Sequence, residues 1–296
     1  CNGAPVAMPF VGKVKAILEA YLGGEGSGEA IADLLYGKAN PCGKLAETFP
    51  QFLENNPSYG NFPGENGIVN YSEGIYVGYR WYEKHRINPL FPFGYGLSYT
   101  TFRYDGIELS KSDIDENDEV EVTVTLTNTG SLDGKEIVEL YVRENEPLVS
   151  RPEKELKAFK KVLVKAGETE KVTMKLDRRC FAYWDDQIHD WKVDSGKFTV
   201  LVGGSSDSCP LTAEINVSAK AYVKPLSLYT MIRELKDHPK GNAFINKVCK
   251  LAGEEFRGEI FSHTDNEWPL RCVVTMCGKV TFPELVDILE EINSEE

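Results

Sequence analysis

Val120-Glu121-Val122-Thr123-Val124-Thr125-Leu126-Thr127 places an apolar residue at every second position, the period of a β-strand that buries one face. Asn128-Thr129-Gly130 breaks the run. Working outward, Glu136 to Val142 reads as a second strand with Ile137, Val138, Leu140 and Val142 apolar, and Leu156 to Val164 as a third, interrupted by lysines. Glu170 to Leu176 sets Val172, Met174 and Leu176 on one face, and Phe198–Gly203 and Leu211–Val217 complete the set. Short strands at turn-separated intervals over residues 102–219 predict a β-sandwich. No Cys…Trp…Cys spacing supports an antibody-type domain.

The flanks have a different character. Residues 1–101 read as an α/β segment with a long aromatic loop. Val14, Ile17, Leu18, Tyr21 and Leu22 predict a helix over Val11–Leu22 that stops at Gly23-Gly24. A second helix follows on Ala30, Ile31, Leu34 and Leu35 and ends at Gly37. The glycine-rich turn 23–28 lacks GxGxxGK[ST], and a helical pattern, not a strand, leads into it. Close backbone packing between two successive helices explains it better than a phosphate site. Tyr71 to Tyr82 alternates well enough for an extended strand, and Leu90 to Thr100 reads as a glycine-bent, aromatic-packed loop. After residue 219 helix returns. Ser227–Leu235 and Asn242–Leu251 have helical spacing, and residues 252–268 read as loop. A last helix starts at Thr281 with Leu285, Ile288, Leu289 and Ile292 on one face. The reading is three domains: 1–101, 102–219 and a helical extension 220–296.

Composition narrows the function classes. Of 296 residues, 42% are apolar and 27% charged, which excludes a disordered tail or a collagen-like repeat. No run of eighteen apolar residues provides a membrane-spanning helix. The net charge of −13 makes nucleic acid a poor partner. Residues 105–219 hold 15 basic against 24 acidic side chains, a net of −9, so the sandwich carries most of it. The seven cysteines are odd in number with no CxxC, which points to free thiols and a reducing, cytoplasmic compartment. His85, His189, His238 and His263 lie in separate segments without HxxxH spacing, and Gly26-Ser27-Gly28 lacks the GxSxG elbow, so neither a metal nor a serine nucleophile is expected. The opening Cys1-Asn2-Gly3-Ala4-Pro5-Val6 runs straight into a helical pattern, the character of a segment inside a larger fold.

Glu65, Glu73 and Glu83 lie in the aromatic-rich region, and Asp185 and Asp186 follow Tyr183-Trp184. Rings beside carboxylates suit a sugar, whose apolar faces stack while its hydroxyls need acceptors. They equally suit an aromatic-sealed domain junction, the reading preferred for any one of these residues. Glu73 and Arg80 stand out because the surrounding apolar residues would oblige both to find partners. They are the candidate substrate-binding residues, although pairing of both with backbone at the junction with the sandwich is the reading preferred over direct sugar contact.

Several blocks, in order, resemble the C-terminal part of glycoside hydrolase family 3, the bacterial β-glucosidase group. They are Asn2-Gly3-Ala4-Pro5-Val6, Tyr21–Ala30, Ala32–Gly37, Asn40–Leu45 with Thr48-Phe49-Pro50, Tyr71–Tyr82, Phe91–Phe102 and Arg151–Phe159. Cys42 stands where the family usually has serine. The tail near Trp268-Pro269-Leu270-Arg271 is similar to an extension found in some bacterial members. The resemblance implies the closing part of an α/β sandwich domain, a fibronectin type III-like domain and the extension. It implies a retaining β-glucosidase acting on β-glucosides or cello-oligosaccharides without a cofactor. It also implies that no catalytic residue lies in this chain. The nucleophilic aspartate belongs on a (β/α)8 barrel and the glutamate acid/base upstream of the segment matching Asn2. The expected partners are a companion polypeptide carrying that barrel and possible further copies in a homo-oligomer. A non-catalytic carbohydrate-binding or adhesion fragment is the alternative function.

Overall fold

The computed structural model describes residues 1–186, 188–220, 222–262 and 268–294. Within them the chain runs through α1 (Ser27–Leu35), α2 (Tyr79–His85), β1 (Phe102–Leu109), β2 (Asp113–Asp115), β3 (Val120–Asn128), β4 (Gly134–Glu144), β5 (Glu155–Val164) and β6 (Thr169–Leu176). It continues through α3 (Arg178–Phe181), β7 (Tyr183–Asp185), β8 (Asp190–Lys192), β9 (Gly196–Gly203) and β10 (Leu211–Ser218). It then enters α4 (Gly241–Ala252), α5 (Phe256–Ser262), α6 (Val273–Cys277) and α7 (Phe282–Ser294). Residues 1–220 and 221–296 form two units.

In the first unit two sheets face one another, β1-β3-β6 and β2-β10-β9-β4-β5. All pairings are antiparallel except β2 with β10. The alternation of β3 becomes its packing: Val120, Val122, Val124 and Leu126 are buried while Glu121 is exposed. They meet Val138, Leu140, Val172, Leu176, Phe198, Val200 and Ile215 in one core. Each such side chain contributes roughly 1.5–3 kcal/mol on burial. Asn128 ends β3 fully buried and fully bonded. Its Nδ2 donates to the carbonyls of Leu132 (2.8 Å) and Val164 (2.9 Å), and its Oδ1 accepts from Thr100 Oγ1 (2.6 Å) and the Gly130 amide (3.1 Å).

β4 is buried on both faces. Val138 and Leu140 enter the sandwich core, whereas Glu139 and Tyr141 point the other way and are covered by the segment around Tyr79 and Gly94. In β5, Leu156 pairs with Tyr141 and Ala158 with Leu140, so Lys157 is the extra residue of a bulge. Of the lysines that interrupt this strand, Lys157 is accounted for by the bulge, its Nζ 3.2 Å from Glu155, whereas Lys160 and Lys161 stay in the ladder and are exposed.

Residues 1–101 depart from the sequence reading at two places. The expected helix over Val11–Leu22 is only a 3-10 turn at Val11–Lys13, and Val14, Ile17, Leu18 and Leu22 are exposed. An amphipathic helix draws most of its stability from packing its apolar face, and these residues offer it nothing to pack on. The glycine-rich turn therefore does not separate two helices; it only leads into α1, with Gly26 at its N-cap. The expected strand over Tyr71–Tyr82 is a run of turns followed by α2. Gly74 and Gly78 both have φ of +57°, which no strand tolerates, and the apparent alternation continues into helical spacing from Tyr79. Only Met8, Phe49 and Tyr82 are buried apolar residues in this stretch, whereas Leu22, Tyr36, Phe52, Phe62, Tyr71 and Leu97 are exposed.

The second unit has its own core of Leu226, Ile232, Phe244, Val248, Phe256, Leu270, Leu285 and Ile292. The expected helix over Ser227–Leu235 is a 3-10 turn at Ile232–Lys236, because residues 228–232 bond instead to the 268–271 strip, Ile232 N to Trp268 O and Leu270 N to Thr230 O, each at 2.8 Å. The stretch read as loop contains α5, and its residues 263–267 lie outside the described residues. α7 has the expected buried stripe of Leu285, Ile288, Leu289 and Ile292. Glu284 accepts from the amide (2.8 Å) and hydroxyl (2.7 Å) of Thr281 at its start. At its end, Lys240 Nζ donates to the carbonyls of Ile292 and Asn293.

Candidate functional site

Both candidate residues belong to the segment that enters α2, and the structure treats them differently. Arg80 Nη2 lies 3.2 Å from Glu155 Oε1 on β5. Glu73 is half-buried, and its Oε2 is buried without a hydrogen-bond partner among the described residues. Arg80 pairs with Glu155 and not with Glu73.

Arg80 is one contact of a charged seam. Arg151, almost wholly buried, donates to Glu144 Oε2 at 2.7 Å and Glu155 Oε2 at 3.2 Å, and to the carbonyls of Phe181 and Ala182 at 3.0 and 3.4 Å. Burial raises the Glu155 carboxyl, but Lys157, Arg80 and Arg151 outweigh it and hold the group below its ordinary value. The Lys157 ammonium is lowered by burial despite Glu155. Around this centre Lys154 pairs with Glu83 of α2, the Leu156 amide donates to Tyr79 Oη at 2.8 Å, and Tyr76 Oη and Ser150 Oγ lie 2.6 Å apart. Tyr79 packs edge-on to Tyr141 and against Phe93. A polar cleft of about 400 Å³ opens beside the seam, lined by Lys84, Asn145, Ser150, Arg151 and Glu153.

Such an arrangement fastens one folding element to another. It has no obvious nucleophile, since each well-buried carboxylate here already has a cation. Glu155, Arg151, Lys154 and Tyr79 escaped the sequence reading as site residues. The available signal was five charges within Arg151–Lys157, at positions 151, 153, 154, 155 and 157, a density that solvated loops also show. Arg80→Met is expected to cost about 1 kcal/mol, since Glu155 keeps two other cations. Thermal unfolding of wild type, Arg80→Met and Arg80→Lys checks this, with the lysine variant falling between the other two.

Comparison with known proteins sets this seam in context. Residues 1–99 match the glycosyl hydrolase family 3 C-terminal domain, and residues 136–206 a fibronectin type III-like domain. Thermostable beta-glucosidase B of Acetivibrio thermocellus is 43% identical over the whole of this chain, which covers 40% of that protein. The chain belongs to glycosyl hydrolase family 3. It is 38% identical to an exo-alpha-(1->6)-L-arabinopyranosidase of Bifidobacterium breve, over 94% of this chain and 37% of that one. Among solved structures, the GH3 beta-glucosidase of Bifidobacterium adolescentis superposes with a TM-score of 0.74 at 41% identity, covering 82% of this chain and 36% of that one. The chain thus spans about two-fifths of the length of these relatives. The seam joins the two matched family domains: Tyr76, Tyr79, Arg80 and Glu83 come from the first, and Arg151, Lys154 and Glu155 from the second.

Proposed function

We propose that this chain is the C-terminal portion of a retaining β-glycoside hydrolase, a β-glucosidase releasing glucose from β-glucosides or cello-oligosaccharides. Its catalytic carboxylates would lie on companion polypeptide that carries the barrel. The observation that carries the reading is the imbalance within the first unit. The sandwich has a closed core, whereas residues 1–101 leave Leu22, Tyr36, Phe52, Phe62, Tyr71 and Leu97 in solvent. Apolar exposure on that scale marks a surface made to be covered. A free-standing carbohydrate-binding or adhesion fragment would not need such a face. Glu73, with its orphaned carboxylate oxygen, is the residue of this segment best placed to meet the companion polypeptide or the substrate. The thiols, unpaired at all seven cysteines, favour a reducing compartment such as the cytoplasm.

A chimera tests the reading. In it this chain replaces the matching two-fifths of a family relative such as thermostable beta-glucosidase B. Hydrolysis of an aryl β-glucoside within about tenfold of the parent is the expected result, which allows about 1.4 kcal/mol for an imperfect junction. A chimera that folds, by circular dichroism and cooperative melting, yet turns over neither an aryl β-glucoside nor an aryl α-L-arabinopyranoside would sink it. Activity on the arabinopyranoside alone would keep the hydrolase and change the sugar.

A further inference from the structure

We propose that the paired segments 43–49 and 90–96 form a pH-released clasp on the sandwich, closed while the Glu139 carboxyl holds a proton and loosened once it ionises. The two segments bond to each other through Leu45 N to Tyr95 O, Gly94 N to Leu45 O, Phe49 N to Phe91 O and Leu90 N to Phe49 O, each 2.8 Å. They reach the sandwich at three places: Lys44 to Glu136 at 3.2 Å, the Ser206 amide to the Phe93 carbonyl at 2.9 Å, and Gly94 over Glu139.

The third contact is the sensitive one. Gly94, with φ of +82°, lies so close to Glu139 that a Cβ there would overlap both carboxylate oxygens. The clasp therefore seals this carboxyl from water, and Glu139 is 3% exposed. Glu136, 6% exposed, is a second buried carboxylate on the same strand. One cation serves both. Lys44 Nζ sits on Glu136 and also donates to the Gly96 carbonyl at 3.2 Å. Tyr104 Oη donates to Glu136 at 3.1 Å and Tyr141 Oη to Glu139 Oε2 at 2.5 Å. The thiol of Cys209 also faces the cluster, and burial pushes it up to about 11, so it stays neutral. Glu83 and Asp207 also raise that thiol and Lys154 lowers it, and Lys154 is paired with Glu83.

With one cation between two buried carboxylates, the second keeps its proton. Burial is the main cause, opposed by the Tyr141 hydrogen bond and Lys44 and reinforced by Glu136, and Glu139 is pushed up to about 7. Its ordinary value, regained on opening, is 4.5. The sign follows. A raised carboxyl favours the closed form fully below 4.5, the advantage drains as pH rises to about 7, and above that it is gone.

Hydrogen exchange of the Leu45, Phe49, Leu90 and Gly94 amides in the intact protein reads the clasp directly. After correction for intrinsic exchange, opening should rise by about tenfold per pH unit between pH 5 and 7, roughly 100-fold in all, and then level off. Glu139→Gln should flatten this dependence, because the amide cannot ionise. Amides of Val200 and Ile215 in the sandwich core should not follow it. The same dependence in Glu139→Gln, or an equal loss at Val200 and Ile215, overturns the proposal. Should the variant not fold, infrared spectra of the wild type decide: a protonated carboxyl band present at pH 6 and gone by pH 8 is expected, and its absence at pH 6 refutes the clasp.

Discussion

Arg151→Met should lower the stability of the first unit by about 3–5 kcal/mol, the range found when one partner of a buried ion pair is removed. Glu144 is the reason. Its side chain is only 4% exposed and is paired with Arg151, 2.7 Å away. Burial already raises the Glu144 carboxyl, and Arg151 is the main opposing influence. Without the guanidinium, the carboxylate must take up a proton or admit water. The carbonyls of Phe181 and Ala182 also lose their donor. Methionine keeps most of the aliphatic bulk, so lost packing contributes little. For a unit of this size the melting temperature should fall by roughly 10 °C. Adding Glu144→Gln to Arg151→Met should recover part of the loss, because a neutral amide removes the stranded charge. A fall below about 2 °C, or no recovery in the double variant, would mean the seam is not a stabilising element.

The 296-residue chain alone should turn over an aryl β-glucoside no faster than buffer. Retaining hydrolysis needs two carboxyl groups about 5–5.5 Å apart across the scissile bond, one ionised and one able to donate a proton. The buried carboxyls of the first unit are committed elsewhere: Glu136 to Lys44, Glu139 to Tyr141, Glu144 to Arg151, Glu155 to Arg80, Arg151 and Lys157, and Asp194 to Lys192. The cleft beside the seam offers Glu153 facing it and Glu144 already paired. Glycosidases accelerate their reactions by at least about 10⁶-fold, so the expected contrast is far outside assay error. The preparation must show cooperative melting for the result to count. Turnover comparable to an ordinary glycosidase would refute the assignment of the catalytic pair to other polypeptide, and substitutions at Glu65, Glu73 and Glu83 would then locate it.

The sandwich was legible because its signal is local. Every second residue of β3 is apolar, and a strand with one face buried needs nothing more to be read. The final helix was legible for the same reason: its stripe and its Thr281–Glu284 start lie within one segment. The Val11–Leu22 helix and the Tyr71–Tyr82 strand failed because a periodic pattern states only that a face wants burial. The glycines at 74 and 78 redirect the second stretch, and the first finds no surface to cover.

For the candidate site, the sequence by itself singled out Arg80 and Glu73 as polar residues in apolar company, and its blocks carried the family resemblance. It could not say that Arg80 would meet Glu155, 75 residues away, or that Arg151 would hold two carboxylates at once. Nor could it show that Glu139 on β4 faces Gly94 rather than water, since alternation assigns side chains to faces without saying what covers them. Those pairings are long-range. Charge, unlike apolar periodicity, has no repeat along the chain that would announce its partner, so only the packed tertiary structure decided which carboxylates are paired with a cation and which one lies under Gly94 against a tyrosine hydroxyl.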